Sequence, residues 1–133
     1  MNEQEKARHA LDRLQEVETR TDKFKGHYRS YVDRLGPTIL INGLGQALAM
    51  ELAAAGSGNR RGDDEQAHDQ LYRNVRDLLC QLGAAYEGQD DLMAAILGGG
   101  QDQYIAAQAE TLSWLSWHKK FCQAYLPREE DRP

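Results

Sequence analysis

Apolar residues recur at intervals of three and four along almost the whole chain. In residues 3–23 the repeating positions are Ala7, Ala10, Leu11, Leu14 and Val17. This spacing places them on one face of an α-helix, with the charged residues elsewhere. No stretch shows the strict alternation of apolar and polar residues that a half-buried strand requires. The sequence therefore predicts an all-α protein.

Glycine, proline and charge-rich segments divide this pattern into helices. The chain of 133 residues is the usual size of one domain, and we expect a single all-helical domain over residues 1–133, a compact bundle of about six helices. A second helix is predicted to end near Gly36, because Pro37 suits the first turn of the next one. Asp63, Asp64 and Glu65 are predicted at a helix N-terminus. The remaining predictions are a flexible loop over 56–65, a short helix opened by Asp90 or Asp91, a long C-terminal helix from 103, capped by Asp102, to about 126, and a charged tail over 127–133.

Composition bounds the class of protein. The chain is 41% hydrophobic and 28% charged, as in ordinary soluble globular domains. Cys80 and Cys122 have no C-x-x-C spacing, and we predict small core residues of a reduced protein. The first twenty residues lack the apolar core of a signal peptide, and no uncharged apolar run reaches the roughly 20 residues of a membrane helix. We expect a cytoplasmic protein with no membrane contact.

The uncharged segment "PTILINGLGQALAM", residues 37–50, carries two glycines in an apolar run. A hairpin at Asn42-Gly43 would need alternating flanks, and "GLGQAL" lacks the third glycine of a dinucleotide loop. The spacing instead predicts a buried central helix with one narrow polar stripe. Its glycines are expected to allow close packing, within the subunit or against a partner. The predicted protein-interface positions on this stripe are Asn42, Gly45, Gln46 and Ala49.

Two blocks of the chain resemble a known family. The first is "YRSYVDRLGPTILINGLGQALAM", and the second is "YIAAQAETLSWLSWHKKFCQAYL", residues 104–126. Their Asn-Gly-Leu-Gly-Gln and Trp-x-Lys-Lys-Phe segments are similar to the small subunit of type III-B CRISPR–Cas (Cmr) effector complexes. Together the blocks span about a third of the chain, and residues 56–100 carry nothing that matches the family.

The resemblance implies an all-helical subunit with no catalysis of its own, no cofactor and no small-molecule substrate. Several copies would stack along the RNA-guided complex, beside its other subunits and next to the crRNA–target RNA duplex. The implied partners are therefore other Cmr subunits, copies of this chain, and RNA. Assembly and the holding of target RNA would be the role of this subunit.

Basic charge is concentrated in one segment. The chain has 16 basic and 21 acidic residues, yet residues 20–34 hold five basic and two acidic ones. Such a concentration is typical of a phosphate-facing patch, although the solvated ends of a helix pair would look the same. Arg60 and Arg61 lie in the loop and either contact RNA or are simply mobile. The predicted RNA-binding residues are Arg20, Lys23, Lys25, Arg29 and Arg34, with Lys119 and Lys120 on the last helix.

The last helix is apolar on two sides. Ile105, Leu112, Leu115 and Cys122 lie on one side, and Trp114, Trp117, Phe121 and Tyr125 lie roughly opposite. A helix of this kind is either central or presents a face to a partner. We expect the aromatic stripe to belong mainly to the core. Trp117 is the aromatic residue predicted to lie at a protein interface.

Signals for an enzyme are few. The four histidines share no metal-ligand spacing, and the clusters at 63–65 and 90–91 are explained by helix capping. We therefore predict no catalytic residue and no metal. Two alternatives to the RNA-proximal subunit stay open: an all-helical oligomerising adaptor with protein-only contacts, and, more distantly, a helical metal hydrolase.

Overall fold

The computed structural model describes residues 1–59 and 61–128, and in these ranges it contains seven α-helices and no strand. The prediction of an all-α fold with a long C-terminal helix is confirmed. The helices are α1 (Glu3–Asp12), α2 (Leu14–Glu18), α3 (Asp22–Asn42), α4 (Leu44–Ala55), α5 (Asp63–Cys80), α6 (Leu92–Gly98) and α7 (Gln101–Tyr125).

The three longest helices, α3, α5 and α7, form the centre of the bundle. α3 packs against both of the others, α1 lies along α7, and α4 packs against α5 and α3. All seven helices contribute side chains to one contiguous apolar core. Burial of this shared core, rather than the propensity of any one helix, stabilises the short helices α2 and α6. The largest fully buried side chains include Trp114, Tyr28, Tyr86, Phe24 and Leu14.

The first predicted helix is interrupted. α1 ends at Asp12, and one residue, Arg13, separates it from α2. A third helix then begins because the Thr21 hydroxyl accepts a hydrogen bond from the Phe24 backbone N–H, which caps α3. The predicted boundary near residue 23 is therefore a capped turn.

The predicted helix break at Gly36-Pro37 is wrong. α3 continues through both residues to Asn42. Glycine before the proline has no Cβ to clash with the proline ring, which reduces the usual penalty for helical backbone at that position. Leu35 and Ile39, on either side, are buried and hold this turn against the core. The packing of neighbouring residues outweighs the local cost of the proline.

The chain breaks instead at Gly43, where φ is +85°. Few residues other than glycine adopt this left-handed conformation readily. Asn42 therefore ends α3, whereas Gly45, Gln46 and Ala49 belong to α4, so the prediction of one central helix through residues 37–50 is wrong. The segment is also not buried all round, since Leu40 is 71% and Ile41 81% exposed.

Other helix ends agree with the sequence in part. Asp91 caps α6, because its carboxylate accepts from the Ala94 N–H. Asp102 does not cap α7, which begins one residue earlier at Gln101 after Gly100. Cys122 is buried, Cys80 is partly buried, and both are free thiols. Within residues 1–59 and 61–128, no helix combines the length and apolar character needed to cross a membrane.

Candidate nucleic-acid interface

The predicted basic residues of α3 do not form one patch. At 3.6 residues per turn, Lys23 and Arg34 lie on one flank of α3, and Lys25 and Arg29 lie on the opposite flank. The buried stripe of the helix separates the two pairs. The charge concentration visible in the sequence is therefore divided between two surfaces of the bundle.

On one flank, α3 faces the end of α7. Arg29 donates from its guanidinium to the Leu126 carbonyl oxygen at 2.8 Å, so it caps the C-terminus of α7. Lys25 lies 3.9 Å from the Asp22 carboxylate. Lys119 and Lys120 are exposed on α7, where Lys120 also donates to the Ser116 carbonyl of its own helix.

On the other flank, α3 faces α4 and α5. The Arg34 guanidinium lies 4.9 Å from the centre of the Tyr31 ring, which stacks on His68 at 3.6 Å. His68 in turn pairs with the Glu51 carboxylate. Burial raises the pKa of Glu51, and its contacts with His68 and Arg34 oppose that rise. The aromatic and ionic contacts hold Arg34 along the surface of the bundle.

The same flank contains a group of arginines that the sequence only partly predicted. Arg20, Arg61 and Arg73 line one polar pocket of about 340 Å³. The Asp69 carboxylate lies between two of them, 3.4 Å from Arg61 and 3.0 Å from Arg73. We call this site the arginine pocket; its other lining residues are Gly58, Asn59 and Gln66.

Sequence reasoning singled out two members of the arginine pocket and missed the third. Arg20 is a predicted RNA-binding residue, whereas for Arg61 the sequence left open RNA contact or simple mobility in the loop. Arg73 lies four residues after Asp69 on α5, a common surface pairing that gave no sign of a site. Only the tertiary structure brings the three guanidiniums together. Arg60, the other loop arginine, and residues 129–133, most of the predicted tail, lie outside the described residues.

The predicted interface glycine packs inside the subunit. The Gly45 N–H donates to the Tyr104 hydroxyl at 2.9 Å, and the neighbouring Leu44 N–H donates to Gln108 at 3.0 Å. Both acceptors belong to α7, so they satisfy the first N–H groups of α4. Asn42, Gln46 and Ala49 are exposed.

The aromatic stripe of α7 is mostly committed to the core. Trp114 is fully buried and donates to His9 Nδ1 at 2.9 Å. Trp117 is partly buried and donates from its indole N–H to Glu3 at 3.1 Å, which joins α7 to α1. Tyr125 and Ile105 are the exposed ends of the two apolar sides.

A buried polar network, which sequence reasoning did not find, lies at the centre of the bundle. His118 Nδ1 is 2.8 Å from the Ala10 carbonyl, and its Nε2 is 2.6 Å from the Tyr28 hydroxyl. Asn74 donates to that hydroxyl at 2.7 Å and accepts from Gln70 at 2.9 Å. We call these groups, with Arg13 bonded to Asn74, the core polar network.

The acceptors fix the direction of every bond in this network. Because the Ala10 carbonyl can only accept, His118 carries its proton on Nδ1, and Nε2 then accepts from Tyr28. Burial lowers the pKa of His118 to about 3, and burial also raises the pKa of Tyr28. Both side chains are neutral near pH 7, and they join α1, α3, α5 and α7. The network is structural in character.

The acidic clusters lie where the sequence placed them. Asp63, Asp64 and Glu65 occupy the first turn of α5, and Glu65 accepts from the Gly62 N–H at 3.1 Å. Such positions are favourable for carboxylates beside unpaired helix N–H groups. In the part of the chain that the structure describes, no three histidine, cysteine or acidic side chains converge as a metal site would require.

Comparison with models of known protein families shows the family to which the chain belongs. The model of a family described as CRISPR-associated protein (Cas_Cmr5) matches residues 2–125, which is nearly the whole sequence. No curated protein matches the chain. The family match covers all seven helices as well as residues 56–100, where the sequence alone had given no sign of the family. The chain therefore belongs to the CRISPR-associated Cas_Cmr5 family, the small subunit of type III-B (Cmr) effector complexes.

Proposed function

We propose that this chain is a non-catalytic structural subunit of a cytoplasmic, RNA-guided type III-B complex, in which copies of it stack and help to hold the crRNA–target RNA duplex. The observation that carries the proposal is the family match over residues 2–125. The division of the surface supports it, because exposed cations occupy the flanks of α3 and α7, while the exposed residues of α4 are uncharged and include the apolar Met50 and Leu52.

The RNA-facing role rests on cations that remain exposed on the surface of the bundle. Lys23, Arg34, Lys119 and Lys120 are exposed, whereas Arg29 caps α7. Lysines bind phosphates as point charges, without the fixed geometry of a base contact. A surface of this kind suits a duplex whose sequence is read by base pairing, because only its backbone has to be held.

The protein-facing role is proposed for the exposed positions at the α3–α4 junction. Asn42, Gln46 and Ala49 are exposed on the two helices that meet there, as are the apolar side chains of Leu40 and Ile41. Apolar side chains rimmed by polar ones are typical of a protein–protein contact. Gly45 and Trp117 would act indirectly, by fixing α4 and α1 against α7.

Reconstitution tests both roles. The chain is coexpressed with the other Cmr subunits and crRNA, and the complex is purified through a tag on a different subunit. We expect the wild-type chain to be recovered in several copies, and Ala49→Arg to reduce that recovery. Ala106→Arg, an exposed alanine on α7, is the matched control. A complex recovered without the wild-type chain would contradict the proposal.

Target RNA binding by the assembled complex tests the remaining part. Lys119→Gln/Lys120→Gln should weaken binding and flatten its salt dependence by about 0.7 in log–log slope for each phosphate that the variant no longer neutralises. Arg8→Gln on α1 is the control for a change of surface charge. Normal assembly with unchanged RNA binding would favour the alternative, an oligomerising adaptor with protein-only contacts.

A further inference from the structure

We propose that the arginine pocket binds a phosphate of the RNA backbone and is a defined phosphodiester site on this subunit. The inference rests on the proposed function, because it names the group that one part of the RNA-facing surface would hold. It concerns Arg61 and Arg73, whose pairing around Asp69 places them beside Arg20 on the α5 flank of α3.

Three separate parts of the chain build the pocket. Arg20 lies in the turn before α3, Arg61 lies at the end of the loop after α4, and Arg73 lies in the middle of α5. Convergence of three guanidiniums is electrostatically unfavourable without an anion between them. The described residues that line the pocket nevertheless include only one carboxylate, that of Asp69, beside the three guanidiniums.

The charge of the pocket is not balanced from within. Its lining residues carry three positive charges and one negative charge. Carboxylates outside the lining have other partners: Glu16 lies near Arg13 and accepts from Gln70, Asp63 accepts from Thr21, and Glu65 accepts from the Gly62 N–H. A surplus of two positive charges in a polar concavity matches a phosphodiester and its neighbour along the strand.

The guanidiniums also carry surplus hydrogen-bond donors. Each one has five N–H donors, more than the Asp69 carboxylate and the nearby amide oxygens can accept together. Arg73 uses its Nε toward Asp69 at 3.0 Å and one terminal nitrogen toward Gln70 at 3.0 Å. The donors that remain suit the paired oxygens of a phosphate, which guanidinium groups bind in a bidentate manner.

The pocket is held in shape before any ligand binds. Gln66 accepts from Arg20 and donates to the Arg61 carbonyl at 2.6 Å, so one side chain ties the turn to the loop. Arg20 also lies over the Phe24 ring at 3.9 Å. Preorganised donors lose less conformational entropy on binding than free surface side chains do.

The test uses the assembled complex and a fluorescent target RNA at a series of KCl concentrations. In Arg61→Gln/Arg73→Gln we expect several-fold weaker binding and a log–log salt slope flatter by about 0.7 for each phosphate that is no longer neutralised in each copy. Arg76→Gln, an exposed arginine on the same helix outside the pocket, should leave both quantities at the wild-type value. Recovery of each variant in the complex is measured first.

The outcomes separate the two proposals. Failure of the wild-type chain to join the complex overturns the proposed function. Normal assembly, with the double variant and Arg76→Gln giving the same slope and affinity, overturns the phosphodiester site alone. If the double variant is unstable, Arg61→Gln in the loop supplies the same comparison.

A second arm identifies the source of the phosphate. The isolated chain is titrated with inorganic phosphate and followed by NMR of the arginine Nε–H groups. Saturable binding of free phosphate, together with an unchanged RNA slope in the double variant, would assign the pocket to a free anion and overturn the RNA site. Weak phosphate binding that depends on Arg73, with a flatter RNA slope in the variant, supports it.

Discussion

The core polar network and the arginine pocket are both built from polar side chains, yet they differ in how their hydrogen bonds are used. In the network, Tyr28, Asn74 and His118 each meet a direct partner, and Asn74 and His118 are fully buried. In the pocket, Arg61 and Arg73 share the Asp69 carboxylate, Arg20 donates to Gln66, and all three arginines remain partly exposed. The difference teaches that polar groups whose hydrogen bonds are all made within the protein specify the fold. N–H donors that have no acceptor within the protein are available to a ligand.

Removing one hydroxyl from the core polar network should have the largest effect on stability. Tyr28→Phe leaves the Asn74 amide and His118 Nε2 without their partner in a dry interior. We expect a decrease of about 2–4 kcal/mol in the free energy of unfolding, because each buried unpaired group costs about 1–3 kcal/mol. Urea unfolding measures it, and Tyr125→Phe, an exposed tyrosine, is the control. Equal decreases for Tyr28→Phe and the control would show that the hydrogen bonds of the Tyr28 hydroxyl do not stabilise the fold.

Acid should destabilise the fold through His118. Its pKa is about 3 in the folded chain, against an ordinary value of 6.5, so below about pH 6.5 the unfolded chain binds a proton that the folded chain does not. The stability contribution is complete above the unfolded pKa and is lost as pH falls toward the folded pKa. The loss approaches about 1.4 kcal/mol per pH unit.

Glu51 acts in the opposite direction. Because its pKa is raised, the Glu51 carboxylate binds a proton at higher pH in the folded chain than in the unfolded chain. The contribution of Glu51 to the free energy of unfolding therefore increases as pH falls. Urea unfolding between about pH 7 and pH 5 measures the sum. His118→Gln should remove the acid-dependent loss and keep the Glu51 contribution. The same pH dependence of stability in the wild type and in His118→Gln would contradict burial of a neutral His118.

At the junction between α3 and α4, as in the core polar network, backbone N–H groups find their hydrogen-bond acceptors within the protein. At Gly43, φ is +85°, and an added Cβ would lie 3.0 Å from the Tyr104 hydroxyl. At Gly45 the same atom would make ordinary contacts at 3.5 Å or more. Gly43→Ala should therefore cost about 1–2 kcal/mol, and Gly45→Ala should be neutral or stabilising by up to about 1 kcal/mol. Thermal unfolding of the pair checks this, and equal shifts in Tm would contradict the role given to Gly43.

The arginine pocket should contribute least to stability. Partly exposed ion pairs are worth about 0–1 kcal/mol, so Arg61→Gln/Arg73→Gln should change the free energy of unfolding by less than about 1 kcal/mol. Urea unfolding of the isolated chain measures this change. A change as large as that of Tyr28→Phe would show that these arginines belong to the folding core, and the contrast between the two regions would fail.

The sequence predicted the parts of the fold that depend on local pattern. Helical periodicity identified α5 and α7, and a cap at Asp90 or Asp91 was predicted from their place before an apolar run, of which the structure has Asp91. The α3–α4 break was missed because Gly36-Pro37 is the stronger local signal, and only the burial of Leu35 and Ile39 overrides it. Packing of that kind is not visible in a local window.

The candidate site was predicted less completely. Charge counting along the chain located Arg20 and Lys23, but helical geometry assigns neighbours in sequence to opposite flanks of α3. The arginine pocket joins residues more than 40 positions apart, as the bond between Arg20 and Gln66 shows. One sequence carries no direct record of such contacts.

Arginine-selective modification of the assembled complex tests the central claim most directly. The complex is treated with phenylglyoxal with and without target RNA, and modified sites are quantified by mass spectrometry. We expect RNA to protect Arg61 and Arg73 and to leave Arg8 and Arg76, both exposed outside the pocket, as reactive as before. Equal reactivity of Arg61 and Arg73 with and without RNA would contradict a phosphodiester site in the arginine pocket.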